Sequence, residues 1–498
     1  MAVAADPAEL EIAPSLDEVR ELAREHTLIP LRHSFIDDCE TPVSAYLKLR
    51  GEGPSFLLES AEQGQRFGRW SFLGVQQRAV MRLDQGRLTV DGEPRDYEDP
   101  YAAVAGELDR YRLAQLDGLP PFAGGAVGMF GYDLVRTFEP SVGPRGADEL
   151  GVPELAVMVS HVLLAFDHFT HRVTVLAYVF ADEDELERSY ASAVEAIVDV
   201  RERLRAPVPR SDAGRREPPR WTSNIGSEGY AAAVEVAKEH IRAGDAYQIV
   251  PSQRWSADCP VDAFSIYRGL RTINPSPYMY FLDFEDFQIA GASPESLVKV
   301  SGRLAQQRPI AGTRPRAQTT EEDLERAREL LADEKERAEH EMLVDLGRND
   351  LGRVCEYGSV EVGEHMVVET YSHVMHIVSS VSGRLADGVT PIDALRASLP
   401  AGTLSGAPKI RAMQIIDTLE PTSRGPYGGA VGYLSFTGDL DTCIYIRSAL
   451  VKDGRVHAQA GGGIVADSDH DYEVRETEHK AGAVWEAVAL ACHQPDWP

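Results

Sequence analysis

Residues 206–222, APVPRSDAGRREPPRWT, combine proline, glycine and charge and carry no apolar periodicity. Such a stretch has no apolar face to bury and is punctuated by structure breakers, so it marks a junction and not a core element. It divides the 498-residue chain into two parts, against the two to four domains expected at roughly 100–200 residues each.

Each part mixes strands and helices. Before the junction, AVMRLDQGRLTVDGE (79–93) and HRVTVLAYVF (171–180) alternate as hairpin strands do, and 182–204 reads as an amphipathic helix. The most apolar run, LAVMVSHVLLAFDHF (155–169), is broken by His161, Asp167 and His168, so it reads as sheet and not as a membrane span. After the junction, 223–245 reads as a capped helix ended by Gly244, and strand-like runs follow at 246–255, 278–284, 296–310, 373–383 and 443–462. Two long helices interrupt them, at 319–350 and 467–492. Two mixed sheet-and-helix domains packed as antiparallel layers are expected.

Composition narrows the function. With 50 Lys plus Arg against 79 Asp plus Glu, the formal charge is −29; phosphate backbones repel such a chain, so nucleic acid is not an expected partner. The five cysteines (Cys39, Cys259, Cys355, Cys443, Cys492) are scattered and form no CxxC pair. Reduced thiols fit best. The N-terminal MAVAADPAELEIAP lacks the basic start and apolar core of a signal peptide. A cytoplasmic protein with no membrane contact is predicted.

Several constellations can carry chemistry. Glu336 with Glu339, and Glu473 with Glu476, stand three apart on their helices, so each pair shares one helical face. Two such faces brought together would form an oxygen-only site suited to Mg²⁺; alone, each pair also reads as a solvated acidic face. The loop AGGGIVADSD (460–469) places Gly461, Gly462 and Gly463 before a helix start, either to approach an anion closely or simply to turn. Neither it nor AGTLSGAPK (401–409) is a nucleotide motif. Arg447 interrupts the apolar run CIYIRSALV and needs a carboxylate or phosphate partner, structural or bound. His376, in HVMHIV, is a packed strand histidine or a catalytic one. Glu295, in IAGASPES, is a general acid or a turn carboxylate.

The segments NPSPYMYF (274–281), GASPE (291–295), PIAGTRPR (309–316), EHEMLVDLGRNDLGRV (339–354), PAGTLSGAPKIRAMQIID (400–417) and YGGAVGYLSFTGDLDTCIYIRSALV (427–451) resemble the chorismate-binding enzymes. Among these they are most similar to the anthranilate synthase component I family, whose N-terminal domain LLESAEQGQRFGRWSFLG (57–74) also resembles. The resemblance implies an α+β fold, a β-sandwich of two orthogonal antiparallel sheets with external helices. It assigns 28–205 to a tryptophan-regulated N-terminal domain, 206–222 to a linker and 223–490 to a chorismate-binding catalytic domain.

It also implies a reaction: ammonia attacks C2 of chorismate, the C4 hydroxyl leaves, and pyruvate is then eliminated to give anthranilate, the first committed step of tryptophan synthesis. By the same resemblance, Glu339 and Glu476 bind Mg²⁺ directly, with Glu336 and Glu473 acting through water. Glu295 protonates the departing hydroxyl, His376 assists the elimination, and Thr403 belongs to the catalytic set. Gly312, Thr313, Tyr427, Arg447 and Gly461 to Gly463 match substrate-contacting positions. Where relatives with other nucleophiles carry a lysine, this chain has Ala311 and Gln248, which points to ammonia without covalent catalysis. None of the five cysteines sits on a Gly-flanked elbow, so a glutamine amidotransferase subunit is the implied ammonia donor, in a heterotetramer. Tryptophan is the implied inhibitor, held by Glu59, Ser60, Pro277, Tyr278 and Met279. Alternative outcomes are an enzyme that releases aminodeoxyisochorismate, or a tryptophan-binding regulator without activity.

Overall fold

The strand Leu155–Asp167 is buried at every position except His161, because both of its faces and both of its edges are covered. It pairs along its whole length with Trp70–Asp84. On its other edge, Leu155–Val159 pairs with Gly125–Phe130, and Val162–Asp167 pairs with Arg172–Ala177. Register shifts between Gly74 and Ala79 bend and twist the long pair, so the two strands leave one run of sheet and enter another. The computed structural model describes residues 10–51, 53–60, 68–181, 185–210, 214–317, 319–370 and 374–497. Residues 61–67 of the 57–74 motif, His373 and the side chain of Thr313 lie outside that description.

Among the described residues the main network has 20 strands, all of its pairings antiparallel. One run leads from the long pair through Ser55–Glu59, Tyr278–Asp283, Phe287–Ser293, Ser448–Lys452 and Arg455–Gly461 to Ser252–Asp258. The other leads through Gly125–Phe130, Ala430–Ser435, Leu440–Ile444, Ser296–Ser301 and Leu304–Gln307 to Val381–Arg384. Strands from before residues 206–222 thus form a central block flanked on both sides by strands from after them, and hydrogen bonding is continuous across the junction. The class is mixed helix and sheet with large antiparallel sheets, as expected.

Helices cover the sheets. Ala263–Ile273 and His470–Cys492 bury Phe264, Tyr267, Val484 and Val488 in one core with Met279 and Phe281. They approach so closely that a Cβ on Gly269 would lie 2.5 Å from the Ala487 carbonyl oxygen. No described helix is long and apolar enough to cross a membrane.

Three local expectations change. The region 319–350 is two helices, Thr320–Ala332 and Glu334–Gly352, because the Asp333 side chain caps the second by accepting from the Lys335 and Glu336 N–H groups. The helix expected from residue 223 starts later, as Gly226–Arg242, and Ser223 Oγ instead accepts the N–H groups of Ile225 and Gly226. Arg447 lies not within a strand but in the break between Leu440–Ile444 and Ser448–Lys452, at φ +53°.

Candidate active site

The capped start of the helix Glu334–Gly352 sets the direction of Glu336 and Glu339. Arg314, on the strand Ile310–Pro315, reaches Glu336 at 2.9 Å and Asp333 at 3.0 Å. Glu339 accepts from Gln248 Nε2 at 3.5 Å. Burial raises its pKa, and the charges of Glu336 and Glu476 add to that effect. On the helix His470–Cys492, Asp469 supplies the cap. Glu476 pairs with Lys480 at 3.0 Å. Glu473 is buried, and its Oε2 has no hydrogen-bond partner among the described residues. Burial, reinforced by the neighbouring Glu476, holds its carboxyl well above the usual carboxylate range.

The glycine loop packs against these acids. A Cβ on Gly462 would lie 2.8 Å from Glu473 Oε2 and 3.3 Å from Glu476 Oε2; one on Gly463 would lie 2.6 Å from Gln248 Nε2. Space, not a left-handed backbone, therefore requires glycine here. Gly462 N–H already donates to Tyr230 OH at 3.1 Å, and the Gly461 carbonyl accepts from Lys480 at 2.9 Å. Tyr427 is buried with its hydroxyl 3.2 Å from the place a Gly461 Cβ would occupy.

Among the described residues no group of three or more His, Cys, Asp or Glu side chains stands at metal-binding distances. The four carboxylates nevertheless suit a divalent cation. They are oxygen donors from two helices, Glu473 Oε2 is buried without a partner among the described residues, and burial together with the charges of Glu336 and Glu476 raises Glu339.

Glu295 lies just past the strand Phe287–Ser293, its carbonyl accepting from Ile444 N–H at 3.0 Å. Its carboxylate accepts from Thr403 Oγ1 at 3.1 Å. Burial pushes its pKa up to about 7, where a carboxyl can hold a proton at neutral pH and release it during reaction. Thr403 sits in the turn Gly402–Leu404, which lies so close to the helix Glu334–Gly352 that a Cβ on Gly402 would collide with the Leu346 side chain. Glu295 and Thr403 share a small cavity of about 40 Å³ with Gln307, Leu346 and Asp350.

His376 pairs in register with Thr313 across a bulge that sets Gly312 aside at φ +66°. The Gly312 carbonyl lies 3.3 Å from His376 Nδ1; with Nδ1–H donating there, the ring lone pair falls on Nε2. Burial lowers the His376 pKa, favouring the neutral base. The Arg447 carbonyl accepts from Ala292 N–H at 3.3 Å, but its guanidinium makes no hydrogen bond or ion pair with any described residue, so the structural ion pair considered for it is not formed among them.

A separate cavity of about 570 Å³ is lined by Glu59, Ser60, Pro277, Tyr278 and Met279 together. Ser60 Oγ is buried there without a partner among the described residues. Glu59 is already engaged: Tyr267 OH donates to it, and Arg271 reaches it at 3.1 Å. Met279 alternates with Tyr278 along the strand and packs into the core with Phe281 and Leu57, leaving Pro277 and Tyr278 as the freer apolar surface.

Sequence reasoning missed Arg314, Lys480, Arg424 and the buried pair Lys409–Asp350, 2.8 Å apart. Lys480 follows Glu476 by four residues within one helix, a spacing that signals an ion pair on one helical face, whereas Glu420 and Arg424 lie past the end of the helix Lys409–Leu419. No spacing joins Lys409 to Asp350.

Residues 53–486 match the family described as chorismate binding enzyme. The chain belongs to that family, a class of chorismate-utilising enzymes. Within it, the chain is 49% identical over 474 residues to anthranilate synthase component 1 of Pseudomonas putida, covering 93% of this chain and 96% of that one. It is 48% identical to anthranilate synthase component 1 of Thermus thermophilus, with 93% and 98% covered. Among solved structures, anthranilate synthase component I from Streptococcus pneumoniae superimposes with a TM-score of 0.77 at 40% identity, covering 91% of this chain and 99% of that one. MenF, the menaquinone-specific isochorismate synthase from Escherichia coli, shares the fold, with a TM-score of 0.70 at 17% identity over 95% and 98% of the two chains.

Proposed function

We propose that the chain converts chorismate and ammonia to anthranilate and pyruvate through aminodeoxyisochorismate, as the first step of tryptophan synthesis in the cytoplasm. The observation that carries this reading is the buried Glu295, with its pKa near 7 and Thr403 on its carboxylate, in a chain that carries Ala311 and Gln248 where a lysine would support other nucleophiles.

Ammonia forms a bond to ring C2, the two ring double bonds shift, and the C4–O bond breaks. The proton for the departing hydroxyl comes from Glu295, the hydroxyl leaves as water, and the added nitrogen gives up its extra proton, so chorismate and ammonia become aminodeoxyisochorismate and water. In the second stage the proton at C2 is removed, with His376 assisting, and the C3–O bond breaks. The enolpyruvyl group takes up a proton and departs as pyruvate. Arg447 is an uncommitted cation for a chorismate carboxylate, and Tyr427 with Gly461 to Gly463 and Gly312 with Thr313 form the surrounding wall. Mg²⁺ would be held by Glu339 and Glu476, with Glu336 and Glu473 through water, and would bind the ring carboxylate and ease charge at the ring.

By the same proposal, the two runs of strands stack as a sandwich of orthogonal antiparallel sheets with helices outside. Residues 28–205 form the regulatory domain and 223–490 the catalytic one, joined by 206–222. Tryptophan occupies the cavity beside Ser60, Pro277 and Tyr278. A glutamine amidotransferase subunit docks to supply ammonia, in a heterotetramer.

Fluorescence detection of anthranilate from chorismate, Mg²⁺ and an ammonium salt tests the reading. The purified chain should form anthranilate with ammonium and none with glutamine. Release of aminodeoxyisochorismate, or no consumption of chorismate, would refute it.

A further inference from the structure

Arg424 is the largest side chain buried to near completion, at 2% exposure, and it belongs to none of the groups assigned above. Its NH1 donates to the Leu404 carbonyl at 2.6 Å and its NH2 to the Val250 carbonyl at 2.7 Å. Nε and NH2 also engage Glu420, at 2.9 Å and 2.6 Å. The guanidinium lies 4.5 Å from the ring centre of Tyr132 and 5.6 Å from that of Tyr427.

These contacts join the parts of the active site. Leu404 follows Thr403, the donor to Glu295. Val250 lies two residues after Gln248, the donor to Glu339. Glu420, in turn, accepts from Ser252 N–H at 2.8 Å and Ser252 Oγ at 2.9 Å, and Ser252 pairs with Gly461. Tyr132, from before the junction, covers the guanidinium on one side.

A buried ion pair adds little stability over a well-packed apolar pair. A planar fork with several donors does fix the relative positions of the oxygens it binds. The geometry points to Arg424 as a positioning residue for the reaction: its fork fixes the turn bearing Thr403 and the strand bearing Gln248, and so sets the partners of both Glu295 and Glu339. This rests on the catalytic role given to Glu295.

The test uses Arg424→Lys, which keeps a charge opposite Glu420 but cannot reach both carbonyls as a fork. Chorismate loss is followed with ammonium as the nitrogen source, and products are identified separately, so failure of the anthranilate reading shows as a different product while the positioning test still runs. With a thermal melt confirming folding, kcat should fall about 10- to 100-fold, as expected of a small misplacement, and far more than KM rises. The loss in the double variant R424K/T403V should fall short of the product of the two single losses, because the variants share the Thr403–Glu295 contact while the Gln248 side of the fork is lost only in R424K. Should R424K fail to fold, Glu420→Gln, which loosens Arg424 without removing it, should show a smaller loss with the same non-additivity. Losses that multiply in the double variant, or an unchanged kcat in folded R424K, would overturn the assignment.

Discussion

Thr403 Oγ1 donates to Glu295 Oε1 at 3.1 Å across 108 positions of sequence, and this contact, helped by the charge of Lys480, opposes the burial that raises the Glu295 pKa. Because the acid must be protonated to deliver its proton, kcat should be flat below about pH 7 and fall above it, after correction for free ammonia. Thr403 stabilises the ionised form, so Thr403→Val should move the alkaline limb to higher pH while lowering the plateau. A limb that stays in place in T403V would argue against Glu295 as the group observed.

The paired carboxylates predict a metal dependence that does not rely on turnover. Mg²⁺ at about 100 times its Kd should stabilise the chain by about 2.7 kcal/mol, read as a rise in thermal midpoint. Glu339→Gln and Glu476→Gln should each abolish that rise along with activity. Glu336→Gln should be milder, since Glu336 already pairs with Arg314. Near-normal turnover in both direct-ligand variants would remove the metal assignment.

Tryptophan should inhibit the enzyme without competing at the carboxylate site, through a coupling of about 1–3 kcal/mol. Ser60, buried and unpartnered among the described residues beside the 570 Å³ cavity, is the position to alter. Ser60→Arg should fill the space and leave an active enzyme that tryptophan inhibits poorly. Titration of both proteins with tryptophan at fixed chorismate decides this; unaltered inhibition in the variant counts against the site.

Lys409 and Asp350 are 7% and 4% exposed. Lys409→Met leaves a buried carboxylate alone and should cost about 3–5 kcal/mol in a urea melt. Adding Asp350→Leu should recover most of that loss, because the cost lies in the orphaned charge and not in the missing pair.

The sequence by itself determined the local pieces. Alternation announced the strands within 79–93 and 171–180, the three-residue spacing paired Glu336 with Glu339 and Glu473 with Glu476, and the ordered motifs named the family. These signals are legible because they depend on neighbours along the chain: a strand has a period of two, and a helix returns to the same face after three or four residues. The break at Asp333 is also local, a capping residue inside an acidic stretch.

Tertiary structure decided everything that depends on long-range approach. Glu59 reads in sequence as a ligand for an amino acid, yet Tyr267 and Arg271 reach it from 208 and 212 positions away. Gly462 and Gly463 read as a loop approaching an anion or as a turn, yet they are glycines because Glu473 and Gln248 leave no room for a Cβ. Arg447 reads as a strand interruption seeking a partner, and only its surroundings show that none of the described residues takes that role. Burial and charge pairing are sums over atoms brought together by folding. No spacing along the chain encodes them, which is why the raised Glu295 and the buried fork of Arg424 became visible only in three dimensions.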